Sequence, residues 1–262
     1  MNQRLVLIKF GGSFITDKTQ PYHAETENIA KVAKQFAASW QAHKDTTDFV
    51  LGTGAGSYGH VPAHQYGLRD GAKTPEQFYG LAVTHNSVVK LNNLVATALT
   101  DESVPAFSAS PGTIMSYHDG ERQESYFENI TQLVKAGCVP MLHGDGAPDA
   151  VRGSVIISTE QALQAYLEVC HADYAQVVVV YLMNTHGVLD ADGNTLIELA
   201  ADQAVTVLEQ KGHDVTGSIT SKVTHARKAA QLADSVYLVS GHDDTGLQNI
   251  LAGKSAGTHV LA

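Results

Sequence analysis

The chain predicts an α/β fold, a three-layer αβα sandwich around a mostly parallel central sheet, in a single domain over residues 1–262. Three observations carry that expectation. Apolar runs such as residues 5–10 and 176–183 are too uniformly hydrophobic for half-exposed strands and suit strands covered on both faces. Segments of helical periodicity separate most of these runs, as crossover connections between parallel strands require. Glycine-rich turns follow two of the strands, at Gly11-Gly12 and from Gly52 to Gly59.

Residues 5–10 form the first strand, and Lys9 is its one charged side chain. A lysine there either snorkels at the strand end or is held by an anion. Gly11-Gly12-Ser13 follows at once, and glycines let backbone N–H groups turn toward a ligand, so a phosphate site and an ordinary turn both fit. Residues 14–26 read as a polar loop containing Lys18 and Pro21. Ile29, Val32, Ala33 and Phe36 mark a helix over 27–43. A strand at 48–51 runs into Gly52-Thr-Gly-Ala-Gly-Ser-Tyr-Gly-His60, the second glycine turn.

Thr74-Pro75-Glu76-Gln77 combines a threonine N-cap, proline at the first helical position and a glutamine that closes a capping box. The helix runs to about residue 99. A strand at 104–107 precedes a hairpin of 113–117 with 123–127 around Asp119-Gly120. A helix from 128 ends at Gly137 and leads into a strand at 138–143. His143-Gly144-Asp145-Gly146 closes that strand, and a turn at 148–153 precedes a strand at 155–157. Ser158-Thr-Glu-Gln161 is a second capping box, opening a helix to about residue 170. The buried strand 176–183 stops at Asn184-Thr-His-Gly187. Helices at 200–210 and 222–233 flank a turn at 214–218; a strand at 235–239, a short helix near 247 and a strand at 258–261 complete the chain.

A formal net charge of −10 with no basic tract argues against nucleic acid or an anionic membrane as partner. Two cysteines, far from any histidine cluster, read as reduced thiols. Strand pattern begins within four residues and no apolar run could span a bilayer, so a cytoplasmic protein is expected. If this protein handles phosphates, a few placed lysines and backbone amides must attract them locally.

Ligands of open α/β sheets bind outside the carboxyl ends of the strands, where all of these turns lie. Gly11-Gly12, Gly54 to Gly59, Thr159-Glu160 and Gly217-Ser218 would supply amides, and Lys9, Lys18 and Lys222 would supply charge. Such an assembly suits phosphoryl transfer, which is catalysed mostly by positioning and electrostatic stabilisation. No Walker sequence, Gly-x-Gly-x-x-Gly after the first strand or Gly-x-Ser-x-Gly elbow is present.

Lys9-Phe-Gly-Gly-Ser13 with Ile15-Thr-Asp-Lys18, then Gly54-Ala-Gly-Ser-Tyr-Gly-His60, His143-Gly-Asp145, and Asp214-Val-Thr-Gly217 with Lys222, in this order, resemble the isopentenyl phosphate kinases of the amino acid kinase superfamily. The resemblance covers essentially the whole chain, and His60 is its most discriminating residue. It implies an amino acid kinase-like fold with an acceptor lobe over about 1–170 and a nucleotide lobe over about 171–262. It also implies ATP as phosphoryl donor, with Mg²⁺ held by the nucleotide phosphates rather than by protein ligands, and a homodimer.

By resemblance, Lys9 and Lys222 hold the ATP phosphates, Lys18 neutralises the transferred group and Asp145 orients a lysine. Gly11, Gly12, Ser13, Gly56, Asn184, Gly217 and Ser218 face the nucleotide. His60 donates to the acceptor phosphate, with Ala55, Gly59, Thr159 and Glu160 beside it. The sequence departs from the archaeal pattern at Ala55, at Ser158-Thr-Glu-Gln161, at Asn184-Thr-His-Gly187 and at Gly217-Ser-Ile-Thr220, in the manner of a bacterial branch. Burying the five-carbon tail of the acceptor would contribute on the order of 3–4 kcal/mol at about 0.8 per methylene. Phe78, Tyr79 and Val83, with Met141 or Ile156 opposite, are the expected tail pocket. Two rivals remain at this point: a fosfomycin kinase-like enzyme with a small polar acceptor, and a non-catalytic nucleotide-binding protein of the same fold.

Overall fold

In the computed structural model, residues 3–17, 19–190, 192–205 and 219–262 are described. The sheet forms around β1 (Arg4–Phe10), whose residues alternate between two cores. Leu5 and Leu7 join one apolar cluster, while Val6, Ile8 and Phe10 join the other. That two-residue period, with apolar side chains on both faces, makes β1 a central strand.

After β1 come α1 (Gly12–Ile15) and a small hairpin of β2 (Thr16–Asp17) and β3 (His23–Ala24), where a plain loop was expected. The helix α2 (Thr26–His43), the strand β4 (Thr47–Thr53) and the helix α3 (Gly56–Gln65) follow. In α4 (Pro75–Asp101) the capping box forms as read: Thr74 Oγ1 accepts from the Gln77 amide at 3.2 Å, and Gln77 Oε1 accepts from the Thr74 amide at 3.2 Å. The edge strand β5 (Ala106–Ser108) and the short α5 (Pro111–Ile114) lead to the hairpin β6 (Met115–His118) and β7 (Glu121–Ser125). Asp119 and Gly120 both have positive φ, the two-residue turn that Asp-Gly favours.

The helix α6 (Glu128–Lys135) feeds β8 (Val139–His143). Next comes β9 (Asp145–Asp149), a strand where a turn was expected. Its sequence reads as a turn because the buried positions include Asp145 and Asp149. Asp149 accepts the amides of Asp119, Gly120, Val151 and Arg152 at 2.7–3.2 Å. Desolvation pushes this carboxyl up, but the four amides outweigh it and hold it at about 2. The strand β10 (Gly153–Ile157) pairs antiparallel with β9.

The second capping box opens α7 (Thr159–Cys170), followed by β11 (Gln176–Met183) and the two-residue β12 (Glu198–Leu199). Residues 200–205 do not continue as the helix expected over 200–210. Leu199 instead pairs with Val260 at the sheet edge, and Arg227 donates to the carbonyls of Ala200 and Gln203. The expected turn at 214–218 lies outside the described residues. The chain ends with α8 (Ile219–Ala230), β13 (Ser235–Ser240), α9 (Gly246–Leu251) and β14 (Thr258–Val260).

The main sheet has the order β12-β14-β13-β11-β1-β4-β8-β5, parallel except between β13 and β14. Side chains of α2, α4 and α9 pack on one face and those of α6, α7 and α8 on the other, giving the expected three layers. A four-stranded sheet, β10-β9-β6-β7, stands beside the carboxyl end of β8. No helix among the described residues is long and apolar enough to cross a membrane.

Candidate active site

A cavity of about 280 Å³ opens at the carboxyl ends of β1, β4 and β8. Its floor is the meeting of the two glycine turns. A side chain on Gly54 would come within 2.3 Å of the Gly12 nitrogen, and one on Gly12 within 2.6 Å of the Gly56 nitrogen. Only glycine allows this approach of backbone to backbone. Thr16 clips the two turns together: its hydroxyl donates to Gly12 O at 2.7 Å and accepts from the Ser57 amide at 3.1 Å. The α1 turn uses the amides of Phe14 and Ile15, leaving those of Gly12 and Ser13 for a ligand. Gly11 is different, because it gives its N–H to Leu182 O at 2.9 Å and does not line the cavity.

Lys9 sits on the α7 side of β1 and is 7% exposed. Its ammonium pairs with Glu160 in the first turn of α7. Desolvation would raise the Glu160 carboxyl, but the attraction and hydrogen bond of Lys9 outweigh it and hold the group below the usual carboxylate range. The buried lysine is therefore held by an anion of the protein itself. The capping box consumes the amides of Ser158 and Gln161, which leaves the Thr159 amide at the positive end of α7 for a ligand anion. Lys222, from the first turn of α8, reaches the same cavity, as do Ser13, Ala55, Gly56, Gly59, His60 and Thr159.

Asp145 lines the cavity but orients no lysine among the described residues. Its carboxylate accepts from His85 Nδ1 at 2.8 Å, the Gly146 amide at 2.8 Å and the Gly112 amide at 3.0 Å. The carboxylate that orients a lysine is Glu160. Asn184 is exposed at the end of β11, where its Oδ1 meets His242 Nε2 at 2.7 Å, away from the cavity. Lys18, Gly217 and Ser218 lie outside the described residues.

The expected tail pocket is only partly met. Ile156 lines the cavity, whereas Phe78, Tyr79, Val83 and Met141 do not. Phe78 and Tyr79 are 47% and 64% exposed, and Met141 is fully buried in the α2–α4 core. The wall that α4 offers is Thr84 and Val88, one helical turn apart, with Ala63 of α3 and Ile157 nearby. Thr84 donates its hydroxyl to Gly80 O at 2.8 Å, so it has no free O–H to offer a ligand. Sequence reading missed Thr84, Val88, His85 and Thr16. Helical spacing could have placed Thr84 and Val88 on one face, but not said which face met the site.

A parallel α/β sandwich whose glycine-floored cavity is lined by the buried Lys9 and the half-buried Lys222 has the make-up of a phosphate-handling enzyme. A family model described as the amino acid kinase family matches residues 4–240, and the chain belongs to that family. Isopentenyl phosphate kinase of Haloferax volcanii is 30% identical over 259 residues, covering 98% of each chain. The protein of the same name from Methanocaldococcus jannaschii is 24% identical, again over 98% of each. X-ray structures of isopentenyl phosphate kinase superpose with a TM-score of 0.78 at 21% identity, covering 98% of this chain and 99% of theirs, a likeness in fold.

Proposed function

We propose that the protein transfers the γ-phosphoryl group of ATP to isopentenyl phosphate, forming isopentenyl diphosphate. The observation that carries this reading is one cavity lined both by Lys9, Lys222 and the glycine turns and by the apolar Ala63, Val88 and Ile156. An acceptor with a phosphate head and a short apolar tail matches both kinds of lining. The full-length relatives named isopentenyl phosphate kinase support the same substrate. The Thr84 hydroxyl, tied to the helix backbone, weighs against a polar acceptor of the fosfomycin kind. Lys9, His60 and Lys222 gathered at one cavity weigh against a fold that has lost its chemistry.

A phosphate oxygen of the acceptor attacks the γ-phosphorus while the β–γ bridging oxygen departs with ADP. The attacking oxygen is already anionic, so no general base is needed. Lys9 and Lys222 would balance the charge that builds on the nucleotide phosphates, Lys18 that on the transferred group. His60 would donate to the acceptor phosphate, with the amides of Ala55 and Thr159 beside it. Both cavity carboxylates are engaged, Glu160 by Lys9 and Asp145 by His85. Such a donor set fits Mg²⁺ carried by nucleotide phosphates, where it would neutralise their charge.

We assign acceptor binding mainly to residues of about 1–170 and nucleotide binding mainly to about 171–262, with Lys9 reaching the nucleotide phosphates from β1, which pairs with β11. A cytoplasmic homodimer is the assembly we propose, and sedimentation of the purified protein tests the dimer. The activity is tested by a turnover screen with ATP and a panel including isopentenyl phosphate, fosfomycin and other small phosphates. Turnover of isopentenyl phosphate is expected, and its absence overturns the assignment. In the same assay His60→Ala should raise the acceptor KM about tenfold or more and change the ATP KM little.

A further inference from the structure

A carboxylate lining a cavity for two anionic substrates would repel them unless its charge is engaged. Asp145 is 3% exposed and stands at the turn between β8 and β9. Three donors converge on it: His85 from α4, Gly112 from α5 and Gly146 from its own strand. The residue two before it, His143, donates Nδ1–H to Gly144 O at 2.9 Å and accepts from the Ser110 hydroxyl at 3.1 Å. Burial keeps His143 neutral by lowering its pKa, despite the nearby Asp145. His85 is thus the one side-chain donor to Asp145 among the described residues. Its neighbours on α4, Thr84 and Val88, line the cavity.

We propose that His85 is a positioning residue for the acceptor: its Nδ1–H, with the Gly112 and Gly146 amides, holds the Asp145 carboxylate inside the cavity wall and away from the acceptor phosphate. The bond also sets α4 against the Gly144-Asp145 wall. That bond joins α4 to β9, whereas Lys9 of β1 pairs with Glu160 of α7. This inference rests on the acceptor reading given above.

The test compares His85→Ala with His85→Asn, because an asparagine amide nitrogen can take the place of Nδ1. With ATP and isopentenyl phosphate, His85→Ala should raise the acceptor KM about tenfold and leave the ATP KM within about twofold, the effect of losing one donor to a charged group. His85→Asn should recover most of that loss. Equal rises in both KM values, or an asparagine variant no better than alanine, overturns the proposal. Binding of inorganic phosphate under a saturating non-hydrolysable ATP analogue, read by calorimetry, separates the two claims. If the wild type fails to turn over isopentenyl phosphate but phosphate binding falls in His85→Ala and returns in His85→Asn, the acceptor identity fails and the role of His85 stands. Phosphate binding unaffected by His85→Ala refutes that role.

Discussion

Glu160 and Asp145 are both largely buried carboxylates lining one cavity, yet their charges are engaged by different partners. Glu160 faces Lys9 from the first turn of α7, so its charge fixes a cation where nucleotide phosphates are proposed to lie. Asp145 is enclosed by a histidine and two amides, so its charge is turned into the wall. A carboxylate beside anionic ligands is tolerated in two ways: by holding a cation in place, or by having its lone pairs occupied elsewhere.

The largest expected effect breaks the first arrangement. Glu160→Ala leaves Lys9 buried without its partner, which should cost about 3 kcal/mol of stability in urea unfolding. Turnover should fall about 100-fold or more as Lys9 loses its direction. A change confined to the acceptor KM would show that the two carboxylates are not divided in this way. Next in size is the apolar lining: Ile156→Phe should cut the use of longer-tailed acceptors about tenfold relative to isopentenyl phosphate. Unchanged selectivity across tail lengths would remove Ile156 from the pocket.

Acid sharpens the comparison further. The Glu160 carboxyl is lowered in the folded protein, so its pair with Lys9 stabilises fully above the ordinary glutamate pKa and is lost as pH falls through the folded value. The urea midpoint of the wild type should therefore fall more steeply below about pH 4 than that of Glu160→Gln. Parallel curves would exclude the pair as a source of stability. The smallest effect is a control far from both carboxylates: Thr74→Ala, which removes the α4 cap, should cost about 1 kcal/mol in thermal unfolding and leave both KM values unchanged.

Much of the architecture was legible because it is written locally. The apolar runs of β1 and β11, the capping boxes at Thr74 and Ser158 and the Asp-Gly turn all appear where their residues place them. The local signals failed where burial contradicts polarity. The strand β9 hides two aspartates, and residues 200–205 lose their helix to an edge pairing and to Arg227. Within the site, the glycines and lysines of the cavity were visible. The α4 wall was not, because residues at helical spacing recur along all of α4 and only packing selects Thr84 and Val88.

The sequence by itself determined a parallel α/β sandwich, two glycine turns beside a strand lysine, and a histidine at the second of those turns. Which side chain each carboxylate meets was decided only by the tertiary structure. Lys9 and Glu160 are 151 residues apart, and His85 and Asp145 are 60 apart. Periodicity and caps act over a few residues, whereas these pairs exist only because the sheet order brings β1 under α7, and β9 against α4.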